Sequence, residues 1–223
     1  MNAKLKNIEK GCKLNDKIFR MVVYLFKKGA FKTEQDVATF IDVEIRGAGA
    51  KKAFPTIVAS GINAVAWHHK PTDKKLKKGF CVIDFGAKFK GYCSDMTRTV
   101  YIGKASKTDK RLYNLVKNTQ EVCIRKLKAK QNGKELYELA KKKLGAYADY
   151  FGHGLGHGLS KQIHAKPRIN RKDAILKDGD IVTIEPGIYI PKVLGIRIED
   201  DILVKKNSHR VLSKSPKSLI EIR

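Results

Sequence analysis

The chain of 223 residues lacks features that mark several classes of protein. No segment approaches the roughly 18 consecutive apolar residues of a membrane-spanning helix, and residues 1–6 carry no apolar run of signal-peptide type. Only four cysteines occur, with no Cys-x-x-Cys pair, which argues against a disulfide framework and a structural zinc site. We therefore expect a cytoplasmic protein with reduced cysteines and no membrane partner.

Acidic residues are also few, with 22 Asp and Glu against 47 Lys and Arg and a formal net charge of +25. This charge raises a hypothesis of a different class, a metal-free module that binds nucleic acid or protein. Most of the cations are Lys, however, and they are spread along the chain without the aromatic residues of a single-strand-binding face. The charge therefore leaves nucleic-acid contact open without favouring it.

The length allows one domain, residues 1–223, with a substantial core. Apolar periodicity and capping signals predict helices at these positions: 15–28, after Thr33, after Ser106, and 134–144. Alternating and β-branched segments predict strands at 56–59, 81–87, 91–102, near Ile163, 181–190 and 196–204. The order of two helices followed by strands thus occurs twice.

Acidic residues in the strand segments stand out among these elements. Asp84 and Asp95 are separated by a glycine-containing turn at 88–91, so a hairpin would bring their carboxylates face to face. Glu185 has apolar, β-branched neighbours and is predicted to be buried or half-buried. Since an unpaired buried charge costs several kcal/mol, Glu185 is expected to have a partner.

A second acidic strand segment surrounds Glu199. Alternation places Arg197, Glu199 and Asp201 on one face, which suits either a functional site or a solvated strand face. The guanidinium of Arg197 could orient a carboxylate or a substrate through paired hydrogen bonds, or simply form an ion pair with Glu199 or Asp201. The residues alone leave these alternatives open.

Several carboxylates in one place require cations, because like charges repel unless they are neutralised. Four carboxylates match two divalent ions, and an added imidazole, that of His157, suits Mn(II), Co(II), Fe(II) or Zn(II). Two such ions roughly 3.5–4 Å apart could activate a water and polarise a carbonyl. The pattern indicates metal-assisted hydrolysis.

Five segments carry a resemblance to a known family: 53–61, 84–99, 152–157, 183–189 and 197–201. In this order they resemble the catalytic domain of the pita-bread metallopeptidases, in particular the proline-specific branch of Xaa-Pro dipeptidases (prolidases) and Xaa-Pro aminopeptidases. The resemblance implies an α+β pita-bread (creatinase/aminopeptidase) fold, with two pseudo-symmetric helix-helix-strand halves around a dinuclear metal site. Most prolidases also have an N-terminal domain, which we expect this chain to lack.

The resemblance also implies roles for individual residues. Asp84 would bind one metal ion, Asp95 and Glu199 would bridge the two, and the other ion would be bound by His157 and Glu185. Catalytic roles would fall to Glu185, which assists proton transfer, and to His68 and His164, which face the substrate and stabilise the tetrahedral intermediate. Substrate-binding roles would fall to His153, Tyr189 and Arg197. The choice of His68 over its neighbour His69 rests on the alignment alone.

His153 and Arg197 resemble features that separate the proline-specific branch from the methionine aminopeptidases, which remain the nearest alternative. One departure is Ala165, which stands where family members commonly carry Glu and which affects the surroundings of the site more than the ligands. The expected substrate is a dipeptide or short peptide with proline in second position, and the expected cofactors are two divalent ions, Mn²⁺ or Co²⁺ before Zn²⁺ or Fe²⁺. Dipeptidase or aminopeptidase action and the oligomeric state stay open.

Overall fold

The computed structural model describes residues 3–170 and 172–222. The four α-helices are α1 Ala3–Lys27, α2 Glu34–Gly47, α3 Lys107–Lys126 and α4 Gly133–Leu144, and two short 3₁₀ helices span Gly61–Val65 and Gly145–Tyr150. The strands are β1 Lys51–Lys52, β2 Ile57–Ser60, β3 Gly79–Phe85, β4 Ala87–Phe89, β5 Tyr92–Cys93, β6 Met96–Ile102, β7 Gly156–Gly158, β8 Ala165–Ile169, β9 Ile181–Ile184, β10 Gly187–Ile190, β11 Leu194–Arg197, β12 Asp200–Val204, β13 His209–Val211 and β14 Glu221–Ile222. Within this part of the chain, no helix is both long enough and apolar enough to cross a membrane.

The first half packs α1 and α2 against a four-stranded sheet of order β14-β6-β3-β2. Apolar residues of both helices, among them Phe19 and Ile41, are buried against strand residues such as Ile83 and Val100. The predicted hairpin is confirmed, since β4 pairs antiparallel with β5, and its turn is confined to residues 90 and 91. Gly91 takes a positive φ of 85° in this turn, a conformation that glycine adopts without steric cost.

The second half packs α3 and α4 against a five-stranded sheet of order β13-β12-β9-β7-β8, with β10 and β11 forming a separate ladder. The sequence of two helices followed by strands therefore occurs twice, as predicted. The capping boxes are confirmed as well: Thr33 and Ser106 each accept a hydrogen bond from the backbone of the residue three positions on, Asp36 and Asp109.

The predicted start of the first helix is wrong, because α1 begins at Ala3 and not near residue 15. Its additional turns bury Ile8 and Cys12 against apolar residues of the second half, including Leu203 and Leu212. The start was missed because residues 3–14 include four lysines and a glycine, which weakens a helix in isolation.

The predicted strand 81–87 is interrupted at Gly86. Three other predicted strands are interrupted at an acidic residue of interest. The segment 91–102 breaks at Asp95, 181–190 breaks at Glu185 and 196–204 breaks at Glu199. At each break the backbone N–H leaves the local ladder and bonds elsewhere: that of Glu185 donates to the carbonyl of Leu155 at 2.8 Å. Near Ile163 the chain forms a bend, and strand β8 begins at Ala165.

Candidate metal centre and substrate cavity

Both sheets contribute to one cluster of ionisable side chains. Asp84 lies on β3 and His157 on β7, whereas Asp95, Glu185 and Glu199 occupy the three strand breaks. All are buried except Glu185, which is half-buried. The predicted set of five metal ligands therefore converges on one place.

Within this set, the imidazole of His157 lies close to three of the four carboxylates. Asp95, His157 and Glu199 each offer an atom within 4.8 Å of the others, a spacing that could hold a metal ion. The Nε2 atom of His157 also lies 3.4 Å from Oε1 of Glu185 and 3.7 Å from Oδ2 of Asp95. Imidazole and carboxylate donors together suit first-row transition metals.

Unpaired oxygen atoms provide a test of whether these residues fit a metal. Among the described residues, Oδ1 of Asp84, Oδ1 of Asp95 and Oε1 of Glu199 are buried and have no hydrogen-bond partner. A buried polar atom without a partner costs roughly 1–3 kcal/mol, and more when it is charged. Divalent cations would satisfy all three, so the donor set fits the metal centre that the sequence predicts.

The electrostatics of the cluster show the same need for cations. Burial raises the pKa of Asp95 well above its usual value, and repulsion from Glu199 and Asp84 raises it further. Burial likewise raises the pKa of Glu199, with added repulsion from Glu185 and Asp84. Burial lowers the pKa of His157 to about 4, so the imidazole is neutral at neutral pH, as a metal ligand must be.

The carboxyl of Glu185 has a pKa near neutrality. Burial raises the pKa of Glu185 to about 7, although the charge of Arg197 and a hydrogen bond from Thr183 act in the opposite direction. The hydroxyl of Thr183 donates to Oε1 of Glu185 at 3.1 Å and fixes its orientation. A carboxyl with a pKa near neutrality can both accept and release a proton.

Arg197 is held within the site by three different partners. It donates to Oδ2 of Asp84 at 2.7 Å, to the hydroxyl of Tyr189 at 2.8 Å and to Oγ1 of Thr97 at 3.1 Å. Thr97 in turn donates to Oε2 of Glu199 at 2.6 Å. The guanidinium therefore orients Asp84 directly and Glu199 through Thr97.

Two of the alternatives left open for this segment are wrong. The strand face is not solvated, since Arg197, Glu199 and Asp201 are only 4%, 1% and 0% exposed. Nor does Arg197 form an ion pair with Glu199 or Asp201; its ion pair is with Asp84. The sequence could not reveal this partner, which lies 113 residues away on another strand.

A hydrogen-bonded chain continues from Arg197 to His153. The hydroxyl of Tyr189 lies 2.8 Å from Nε2 of His153, whose Nδ1 lies 2.8 Å from the carbonyl of Gly154. Burial lowers the pKa of His153 to about 3, helped by the nearby charge of Arg197. The imidazole is therefore neutral: Nδ1–H donates to Gly154, and Nε2 accepts from Tyr189. Tyr189 itself is buried behind His153 and does not line the cavity.

The cluster lies at the floor of a cavity of about 500 Å³. His68, His153 and His164 line it, as does Trp67, whose ring centroid lies 5.2 Å from that of His153. The ring of His164 meets that of His157 edge-on at 4.6 Å. Trp67 was not singled out by the sequence, although it is the one tryptophan of the chain and precedes His68.

The structure distinguishes the two adjacent histidines by their partners. Nε2 of His69 lies 2.8 Å from Oε2 of Glu34, so His69 is engaged in a hydrogen-bonded network. His68 is exposed and forms no hydrogen bond with another described residue. Of the two, His68 is the side chain that is free to meet a substrate, which agrees with the choice that the resemblance implies.

Comparisons with known proteins agree with this geometry. The model of metallopeptidase family M24 matches residues 6–206. The chain is 41% identical over 98% of its length to a peptidase of Bacillus subtilis, YqhT, and 38% identical over 97% of its length to a Xaa-Pro dipeptidase of Pyrococcus horikoshii. It spans 63% and 62% of the length of these two relatives.

A solved structure extends the comparison to the fold. The X-Pro aminopeptidase from Thermotoga maritima superimposes with a TM-score of 0.92 at 33% identity, over 98% of this chain and 63% of the other. At this similarity the predicted α+β pita-bread fold is confirmed. The family implies divalent metal ions, consistent with the converging carboxylates and imidazole described above. This chain belongs to metallopeptidase family M24.

Proposed function

We propose that the protein is a metal-dependent peptidase that hydrolyses the bond before proline at the N-terminus of dipeptides or short peptides. The observation that carries the proposal is the convergence of five ionisable side chains, three with buried unpaired oxygens, on the floor of one cavity. The names of the relatives, Xaa-Pro dipeptidase and X-Pro aminopeptidase, support this specificity over that of a methionine aminopeptidase.

Two divalent ions, Mn²⁺ or Co²⁺, would be held by the five predicted ligands: Asp84, Asp95, His157, Glu185 and Glu199. When bound, such ions supply a nucleophile at neutral pH and Lewis-acid polarisation of a carbonyl group. Arg197 and Thr97 hold two of the carboxylates in place before any ion arrives.

The other side chains of the cavity would act on the peptide. Glu185, which lines the cavity, would accept and return the proton that moves during hydrolysis. His68 and His164 donate hydrogen bonds to the carbonyl oxygen as it gains negative charge. Trp67 and His153 form an aromatic wall against which an apolar proline ring can pack.

The test is turnover of three peptides by protein loaded separately with Mn(II) and with Co(II). The substrates are Met-Pro, a longer peptide that begins Met-Pro and a matched peptide that begins Met-Ala. Release of methionine from either Met-Pro substrate supports the proposal, and the longer peptide separates aminopeptidase from strict dipeptidase action. Cleavage of Met-Ala alone would instead indicate a methionine aminopeptidase.

A pair of histidine variants controls for damage that does not involve the site. His164→Gln should lower kcat, whereas His209→Gln should not, because His209 lies outside the cavity and contacts the carbonyl of Leu127. Metal content, measured after dialysis, should approach two ions per chain in the wild type. Absence of both turnover and bound transition metal, together with salt-sensitive RNA binding, would favour the binding-module hypothesis.

A further inference from the structure

One wall of the cavity is formed by a segment with little regular structure. This segment, residues 61–72, is called the Trp67 loop here; it begins with the 3₁₀ helix Gly61–Val65 and contains Trp67 and His68, both of which line the cavity. Beyond the 3₁₀ helix it contains no helix or strand. A loop of this kind keeps a defined position only if other contacts fix it.

A single buried carboxylate makes six hydrogen bonds to this loop and the residue before it. Oε1 of Glu34 accepts hydrogen bonds from the backbone N–H of Ser60 at 2.7 Å, from its hydroxyl at 3.0 Å and from the side-chain amide of Asn63 at 2.9 Å. Oε2 lies 2.8 Å from Nε2 of His69 and accepts from the backbone N–H and the hydroxyl of Thr72 at 3.2 and 3.0 Å. Glu34 thus bonds both ends of the Trp67 loop and a residue adjacent to His68.

Helix capping does not account for this arrangement. Glu34 is the first residue of α2, but the end of that helix is capped by Thr33 and Asp36, which bond each other's backbone N–H groups. Glu34 is only 1% exposed and all six of its contacts belong to residues 60–72. Burial opposes its charge, but the donors from Ser60, Asn63 and His69 prevail and lower its pKa.

We propose that Glu34 is a positioning residue that holds Trp67 and His68 at the substrate cavity through its bonds to both ends of the Trp67 loop. The role of Glu34 in turnover rests on the proposed peptidase function, whereas its effect on the position of Trp67 does not. Glu34 is not among the residues that line the cavity, so it acts through the loop and not on the peptide itself.

The experiment uses Glu34→Gln, which keeps the size of the side chain but replaces one acceptor oxygen by a donor amide. Three of the six groups then face a donor amide, and the other three lose a charged acceptor, so one end of the loop is released. The matched control is Asp36→Asn, which weakens the same helix end without touching the loop. Trp67 reports directly on the loop, because its fluorescence is that of the chain's one tryptophan.

In metal-free protein, Glu34→Gln should increase quenching of Trp67 fluorescence by acrylamide, whereas Asp36→Asn should match the wild type. With metal bound, we expect kcat/KM for Met-Pro to fall roughly 10- to 100-fold in Glu34→Gln, since displacement of a positioning group by about 1 Å has effects of this order. KM should rise, whereas partial unfolding would lower kcat and leave KM unchanged.

Quenching and KM equal to those of Asp36→Asn would overturn the proposal, even if both variants were less stable than the wild type. If Glu34→Gln does not fold, Thr72→Val removes one hydroxyl donor and leaves the carboxylate intact, and the same comparison decides. If the wild type shows no turnover, the proposed function fails, while the quenching comparison still tests the position of the loop.

Discussion

The metal-free protein should lose stability as the pH rises through neutrality, because its buried carboxylates must ionise next to one another. Glu185 gives the clearest magnitude, since burial raises its pKa from the usual 4.5 to about 7. A group whose pKa is raised in the folded state binds more protons there than in the unfolded state. Its contribution is therefore fully present below pH 4.5 and is lost as the pH rises to about 7.

The size of the loss follows from the two pKa values. At about 1.4 kcal/mol per pH unit, ionisation of Glu185 should cost roughly 3 kcal/mol, most of it between about pH 5 and pH 8. For a chain of this size, a change of about 1 kcal/mol moves the melting temperature by roughly 2–4 °C. The expected decrease is thus on the order of 6–12 °C from this group alone. Asp95 and Glu199, whose pKa values are also raised by burial, add to it.

Thermal unfolding with a chelator present, followed by circular dichroism at several pH values, measures the effect. Glu185→Gln isolates the group, because the basic surface titrates equally in both proteins. The variant should lose less stability than the wild type by about 3 kcal/mol over the same range. With metal bound the trend should reverse, since the ligands bind only when deprotonated. Equal pH dependence of wild type and variant would refute the argument.

Three substitutions test other parts of the site. Asp95→Asn should abolish turnover with an unchanged circular dichroism spectrum, and near-normal activity would exclude a bridging role. Tyr189→Phe removes the hydroxyl that bonds both His153 and Arg197, and it should lower the free energy of unfolding in urea by roughly 1–3 kcal/mol. An unchanged midpoint would show that this contact is energetically unimportant. Gly152→Ala places a methyl group into the indole of Trp67, so it should shift the fluorescence of Trp67 and lower the free energy of unfolding by roughly 1–3 kcal/mol. Unchanged emission would contradict this expectation.

Local signals made parts of the fold predictable. Thr33 with Asp36 and Ser106 with Asp109 satisfy backbone N–H groups at a helix start within four residues, so no distant partner is needed. The turn ending at Gly91 is equally local. The five proposed ligands were predictable for a different reason: carboxylates within apolar strands need compensation wherever they lie, and the family resemblance supplied the set.

Distant partners made other features unpredictable. Asp16 lies in the predicted helix, but the sequence does not reveal that its carboxylate accepts a hydrogen bond from the backbone N–H of Ser215. The same holds for Glu34, which in sequence is an ordinary acidic residue in the first turn of a helix. Its four partner residues lie 26 to 38 residues further along the chain.

The strand breaks show how the backbone holds the carboxylates together. At Asp95 the backbone N–H donates to Oδ2 of Asp201 at 2.9 Å, and at Glu199 the backbone N–H donates to the carbonyl of Thr97 at 3.1 Å. Both bonds join the first half of the fold to the second. Because the backbone on either side of the centre is fixed in this way, the carboxylates stay buried and close together, so burial and mutual repulsion both raise the pKa values of Asp95 and Glu199. The pH dependence of the metal-free protein therefore depends on how the two halves keep these side chains buried and adjacent.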